Sequence, residues 1–90
     1  MANRVQIDND RVLVTRWTLS RGEDTGRHRH ERDYVVVPLC DAQMTVTSDN
    51  GAVTTVDVQA GVAYFRQAGV EHTVGNEQDV LLDFVEVECR

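Results

Sequence analysis

The chain contains no lysine: all nine of its basic residues are arginine. A lysine Schiff base is thereby excluded, whereas guanidinium groups offer planar, bidentate recognition of carboxylates. Against those nine stand 15 acidic residues, for a formal net charge of −6. A field of that sign opposes a nucleic-acid or anionic-membrane partner. No apolar run approaches the roughly 20 residues of a membrane-spanning helix, and no basic-then-apolar leader opens the sequence, so a cytoplasmic protein is expected. Cys40 and Cys89 form no CxxC pair, and two reduced thiols are the expected state in that compartment. Nothing resembles a phosphate loop, and Ser20, Ser48 and the threonines show no triad-like arrangement. Helical periodicity, internal repeats, low-complexity tracts and linkers are absent as well.

What is present is strand sequence, rich in valine and threonine and divided by Gly, Asn and Asp. Arg4–Ile7 and Arg11–Leu19 come first, with a turn at Asn9-Asp10, followed by a polar loop from Arg21 to Gly26. An apolar run spans Tyr34–Leu39. Gln43–Thr47 and Val53–Val58 make the clearest hairpin, because Ser48-Asp49-Asn50-Gly51 between them contains an Asn-Gly pair that accepts positive φ. Val62–Arg66, His72–Val74 and Asp79–Val87 complete the set. Many short strands with frequent turns predict an all-β sandwich or barrel.

Ninety residues suffice for one domain, expected to span residues 1–90. A chain of this size buries only about 60–65% of the surface it exposes unfolded. A bound metal or oligomerisation would add stability by linkage, and sheet edges call for cover. A homodimer is therefore expected.

The three histidines fall into two segments, His28 and His30 as an HxH pair, and His72. On a strand, residues i and i+2 share a face, so His28 and His30 are able to converge on one ion, about 2.0–2.1 Å from each nitrogen for zinc. A third imidazole from a neighbouring strand would complete a three-cornered face and leave the other side open. Metal binding by such a set is expected to weaken as pH falls through about 6.5, where protons compete for the rings.

The first segment runs Gly22, five residues, His28, Arg29, His30; the second runs Gly61, five residues, Gln67, Ala68, Gly69, two residues, His72, three residues, Asn76. In order, these closely resemble the paired motifs of the cupin superfamily, G(x)5HxH(x)3–4E(x)6G and G(x)5PxG(x)2H(x)3N. The resemblance covers roughly residues 20 to 76, and Gln67 stands where proline is usual. It implies a double-stranded β-helix, or jelly-roll, barrel of the RmlC-like kind with metal ligands pointing inward. His28, His30 and His72 would be the metal ligands, Gly69 the tight turn where a β-carbon does not fit, and Asn76 part of the turn leaving the strand. The motif glutamate falls on Tyr34 or Val35, neither a carboxylate. Asp33 would join only if the segment bulges, and Tyr34 is the other conceivable fourth ligand. The segment HRHERDYVVVPL is also similar to very small single-domain bacterial cupins, some associated by name with β-alanine degradation.

The resemblance implies a divalent metal, Fe, Zn, Ni or Mn, on three histidines. Three neutral imidazoles leave the ion's double charge uncompensated, which favours an anionic ligand. The expected function is action on, or binding of, a small polar or anionic organic molecule. With iron this would be dioxygen chemistry, and with zinc or nickel a Lewis-acid isomerase or lyase. A non-catalytic small-molecule binder or sensor is the alternative.

Among the remaining residues, Arg27, Arg29 and Arg32 form a solvated stretch near acidic neighbours. Arg16 and Arg66 interrupt apolar strands, and either is a candidate to meet a substrate carboxylate, although a paired or surface position is the commoner outcome for arginine. Trp17, Tyr64 and Phe65 are expected in the core or an interface, with at most one lining a cavity. Glu86 and Glu88 alternate with Val85 and Val87 as on a solvent-facing edge strand.

Overall fold

Strands form where the valine- and threonine-rich runs predict them, and hydrogen-bonded turns separate them. The structure, a computed structural model, describes residues 2–90. Its elements are β1 (Ala2–Asp8), β2 (Val12–Leu19), β3 (His28–Arg29), β4 (Tyr34–Pro38), β5 (Ala42–Ser48), β6 (Val53–Val58), β7 (Tyr64–Arg66), β8 (Glu71–Gly75) and β9 (Leu82–Cys89). The described residues contain no helix. The Asn9 side chain closes the β1–β2 turn by accepting from the amides of Arg11 and Val12, each at 2.9 Å. The β5–β6 hairpin turns at Gly51, whose φ of +85° is the left-handed conformation that the Asn-Gly pair supplies.

Two antiparallel sheets face each other, one ordered β1-β2-β9-β4-β7 and the other β3-β8-β5-β6. Leu19, Tyr34, Val36, Met44, Val58, Val74, Leu82 and Phe84 fill the space between them. Neighbours in sequence often lie on different sheets, the double-stranded β-helix arrangement.

The last strand departs from expectation in two ways. It begins at Leu82 rather than Asp79, and it lies at the centre of the five-stranded sheet, between β2 and β4. Its alternation is genuine but faces the other way. Phe84 and Glu86 point into the barrel, while Val85 and Val87 face outward. Alternation fixes which residues share a face, and only tertiary pairing decides which face is covered. The outward face carries an apolar row across all five strands, through the successive pairs Ile7–Val14, Val14–Val87, Val87–Val35 and Val35–Phe65.

Candidate metal centre

The short β3 pairs with β8 so that His28 lies directly opposite His72 and Arg29 opposite Glu71. The ladder continues beyond β3. The His30 amide donates to the Val70 carbonyl at 2.8 Å, and the Gly69 amide donates to the His30 carbonyl at 2.7 Å. His28 and His30 therefore share a face, one step apart, against the strand that carries His72. Gly69 makes the return possible with a φ of +97°. An added β-carbon there would meet nothing within 4 Å, so backbone conformation rather than lack of space calls for glycine.

The three rings meet at their Nε2 atoms, with His28 and His30 2.9 Å apart and His30 and His72 3.2 Å apart. Ligand atoms about 2.0–2.1 Å from one ion are separated by about 2.8–3.4 Å at octahedral or tetrahedral angles, so these spacings suit a shared cation. His28 Nδ1 lies 3.0 Å from the Gly26 carbonyl. A proton held there leaves the Nε2 lone pair facing the other rings, the usual way a ligating imidazole is oriented. Thr25 ties this loop to β8, since its hydroxyl accepts from the Val74 amide at 3.1 Å and its own amide donates to the Val74 carbonyl.

Burial sets the charge state of the rings. His30 is pushed down to about 4, first by loss of solvent and then by His28 and His72. His72 is also pushed down to about 4, by burial and then by His28 and Arg66. Both are neutral near pH 7, as metal ligation requires. Proton competition at these two rings accordingly moves from the ordinary 6.5 toward 4.

The remaining wall of the site comes from the five-stranded sheet. Tyr34 stacks on His30, with ring centroids 3.8 Å apart and planes at 19°; burial raises its hydroxyl to about 12, so it stays protonated. Tyr34 lies opposite Arg66, and Val36 opposite both Tyr64 and Glu86. The Arg66 guanidinium stacks over the Tyr64 ring at 4.6 Å. Its hydrogen bond goes to the Phe65 carbonyl, and it makes no ion pair with a described carboxylate. Glu86 is largely but not fully buried, accepts from Trp17 Nε1 at 3.0 Å, and brings Oε2 to 3.7 Å from His30 Nε2. Burial raises its carboxyl above the ordinary range, against the opposing pull of His28 and the Trp17 hydrogen bond. With Val46, Val56 and Phe84 these groups line a cavity of about 250 Å³ that His72 also lines.

Other expectations resolve one by one. Asp33 is exposed and accepts from the Ala68 amide, which leaves it outside the cluster. Arg16 forms a two-pronged pair with Asp83, at 3.0 and 2.7 Å, away from the cavity. Arg27 pairs with Glu71 and Arg29 with Glu31 at the surface. Of the three aromatic residues, Tyr64 lines the cavity, Trp17 packs against the core and Phe65 is exposed. Asn76 is buried and structural: its amide donates to the carbonyls of Leu19 and Val80 and its oxygen accepts from the Gln78 amide. Cys40 and Cys89 are both free thiols. Glu86 is the site residue that sequence reasoning missed. A signal was available, because the same observation that marked Arg66, a charge interrupting an apolar strand, applies to it equally.

No family model matches the chain. It is 48% identical over 86 residues to the β-alanine degradation protein BauB of Pseudomonas aeruginosa, a match that spans 96% of this chain and 90% of that protein. The crystal structure of a cupin domain from Bordetella pertussis superposes with a TM-score of 0.93 at 44% identity, covering 99% of this chain and 92% of the other. An RmlC-like cupin with a double-stranded β-helix from Methanocaldococcus jannaschii gives 0.80 at 17% identity, over 98% of this chain and 78% of its own, which speaks for the fold alone. With this barrel, both motifs in order and such relatives, the chain belongs to the cupin superfamily.

Proposed function

We propose that this protein holds a divalent metal ion on His28, His30 and His72 and uses it to act on a small anionic organic molecule seated in the adjoining cavity. The observation that carries this reading is the meeting of three Nε2 atoms, two of their separations being 2.9 and 3.2 Å, beside a cavity lined by His72 and by Arg66, whose guanidinium pairs with no carboxylate among the described residues. The donor set fits the group: the His30 and His72 rings are buried and neutral near pH 7, and His28 is oriented through Nδ1. When bound, the ion supplies Lewis acidity or, as iron, dioxygen chemistry.

The rest is the work of the chain itself. The cavity, at about 250 Å³, is smaller than the roughly 300–1,000 Å³ of pockets for drug-sized ligands. It suits a molecule of a few heavy atoms. Arg66, held flat against Tyr64, offers a planar fork for a carboxylate. The apolar side chains of Val46, Val56 and Phe84 exclude water from the remainder. The name of the Pseudomonas relative, which refers to β-alanine degradation, accords with a small carboxylate as ligand.

We further infer that the whole chain acts as one domain and pairs with a second copy through the outward apolar row from Ile7 to Phe65, two residues that are 47% and 53% exposed. Covering such a row removes apolar surface from water at both copies.

Metal analysis of protein purified without chelators, followed by loading with Fe(II), Zn(II), Ni(II) or Mn(II), tests the central reading. One tightly held ion per chain is expected; failure to retain any of the four would overturn it. Oxygen uptake or product formation by the loaded protein with a panel of short carboxylates, β-alanine included, then tests turnover. Saturable binding of a carboxylate without turnover would make the protein a binder rather than an enzyme.

A further inference from the structure

We propose that Glu86 is the anionic partner of the ion held by His28, His30 and His72, delivering from β9 the carboxylate that the first motif lacks. The inference rests on the metal-binding reading above. Three neutral imidazoles contribute no charge, so a divalent ion among them gains from a nearby anion in a site sheltered from water. Tyr34 occupies the strand position where a carboxylate is missing, and its ring stacks on His30 with centroids 3.8 Å apart. Asp33 faces the Ala68 amide, and Glu31 and Glu71 pair with surface arginines. Among the described residues, no carboxylate other than Glu86 comes within 4.0 Å of a nitrogen of these three rings.

Its placement is specific. Trp17 Nε1 donates to Oε1 at 3.0 Å, and this leaves Oε2 on the side of His30 Nε2, 3.7 Å away. Ligand atoms about 2.0–2.2 Å from one ion stand no more than about 4.4 Å apart, and 3.7 Å lies inside that limit. The carboxylate is also costly where it is. Its side chain is only 14% exposed, and no arginine among the described residues pairs with it. A largely buried carboxylate with one indole donor and no arginine partner among the described residues is poorly compensated. A dication at the neighbouring nitrogens would supply the missing compensation. Trp17 is then a positioning residue, acting on the ion through Glu86.

The test is a chelator-competition titration of Zn(II) against the full chain and its variants, with the thermal stability of each metal-free protein measured alongside. Glu86→Gln keeps an acceptor for Trp17 and removes the charge, so the metal-free protein should melt no lower than the unaltered chain. Its zinc affinity should fall about 10–100-fold, the scale of effect seen when groups supporting a metal site are removed. Trp17→Phe, which frees the carboxylate without neutralising it, should weaken zinc in the same direction by a smaller factor. Equal affinity of Glu86→Gln and the unaltered chain would overturn the proposal while leaving the histidine site standing. An unaltered chain that binds no zinc, iron, nickel or manganese would instead sink the histidine site itself, and this inference with it. Should Glu86→Gln not fold, the zinc-induced infrared difference spectrum of the unaltered chain decides. A shift in a carboxylate stretching band supports the proposal, and a spectrum without one overturns it.

Discussion

The two walls of the cavity are assembled in different ways. The four-stranded sheet brings its contribution through one local ladder, in which His28 faces His72 and His30 follows by hydrogen bonds to Gly69 and Val70. The five-stranded sheet supplies Tyr34, Arg66 and Glu86 from three strands that are distant in sequence and meet only through the pairing of β4 with β7 and with β9. One wall presents neutral nitrogen donors, the other a phenol, a cation and an anion. The first is suited to hold an ion, and the second decides what else enters and how the ion's charge is met. Changes to the two walls should therefore separate metal affinity from ligand choice.

The largest separation is expected at the second motif itself, where His72 and Asn76 lie four residues apart on one strand and its exit. His72→Ala removes a ring that meets its neighbour at 3.2 Å, and it should weaken Zn(II) by more than the roughly 100-fold upper range for supporting groups. Asn76→Ala takes a side-chain donor from the Leu19 and Val80 carbonyls and the acceptor from the Gln78 amide, at a residue 1% exposed. It should cost about 3 kcal/mol of stability, the scale of leaving buried polar groups unsatisfied. Denaturant unfolding and zinc competition on both variants check the contrast. If Asn76→Ala weakened zinc as strongly as His72→Ala without loss of stability, the division between ligand and scaffold would be wrong.

That contrast also shows why one wall is legible in the sequence. A strand period of two places His28 and His30 together, and the Gly69-to-His72 spacing marks the return turn, so local sequence carries the first wall. The hairpin at Asn50-Gly51 and most strands were legible for the same reason. Asp33 was a candidate only because it lies near His30 in sequence, and a side chain turned toward the Ala68 amide ended that. The alternation of valine and glutamate along β9 predicts a solvent-facing Glu86, yet that pattern leaves open which face is covered. In this barrel the valines face outward and the glutamate inward, an inversion fixed by the strands on either side of β9. Arg16 and Arg66 looked alike in sequence. Asp83 captures the first, and the cavity receives the second.

Acid should destabilise the metal-free protein through the histidine wall. His30 and His72 titrate at about 4 in the folded protein, against about 6.5 when unfolded. The unfolded chain binds more protons between those values, so the stability of the metal-free protein is fully present above about 6.5 and declines as pH falls toward 4. At about 1.4 kcal/mol per pH unit, each ring contributes up to about 3 kcal/mol of that decline. Urea midpoints of the metal-free protein between pH 7 and pH 4 measure it directly, and His72→Ala should flatten the profile. A profile with equal steepness in His72→Ala and the unaltered chain would show that other groups cause the loss.

The smallest expected effect belongs to Arg66 and is the most selective. Its guanidinium is exposed at the cavity, rests on Tyr64 and has no carboxylate partner among the described residues. Arg66→Met keeps an unbranched side chain that still covers the ring but removes the fork. Loss of one charge-assisted interaction with a carboxylate is worth about 1.5–3 kcal/mol when sheltered. Solvent access at Arg66 places the change at or below the lower end, about tenfold in the affinity of a short carboxylate for the metal-loaded protein. Zinc affinity should move the other way if at all, because Arg66 disfavours positive charge near His72. Calorimetric titration of loaded protein with malonate and with an uncharged diol of similar size reads both walls at once. Malonate should lose affinity on the substitution and the diol should not. A loss shared by both compounds would mean that Arg66 shapes the cavity rather than recognising charge.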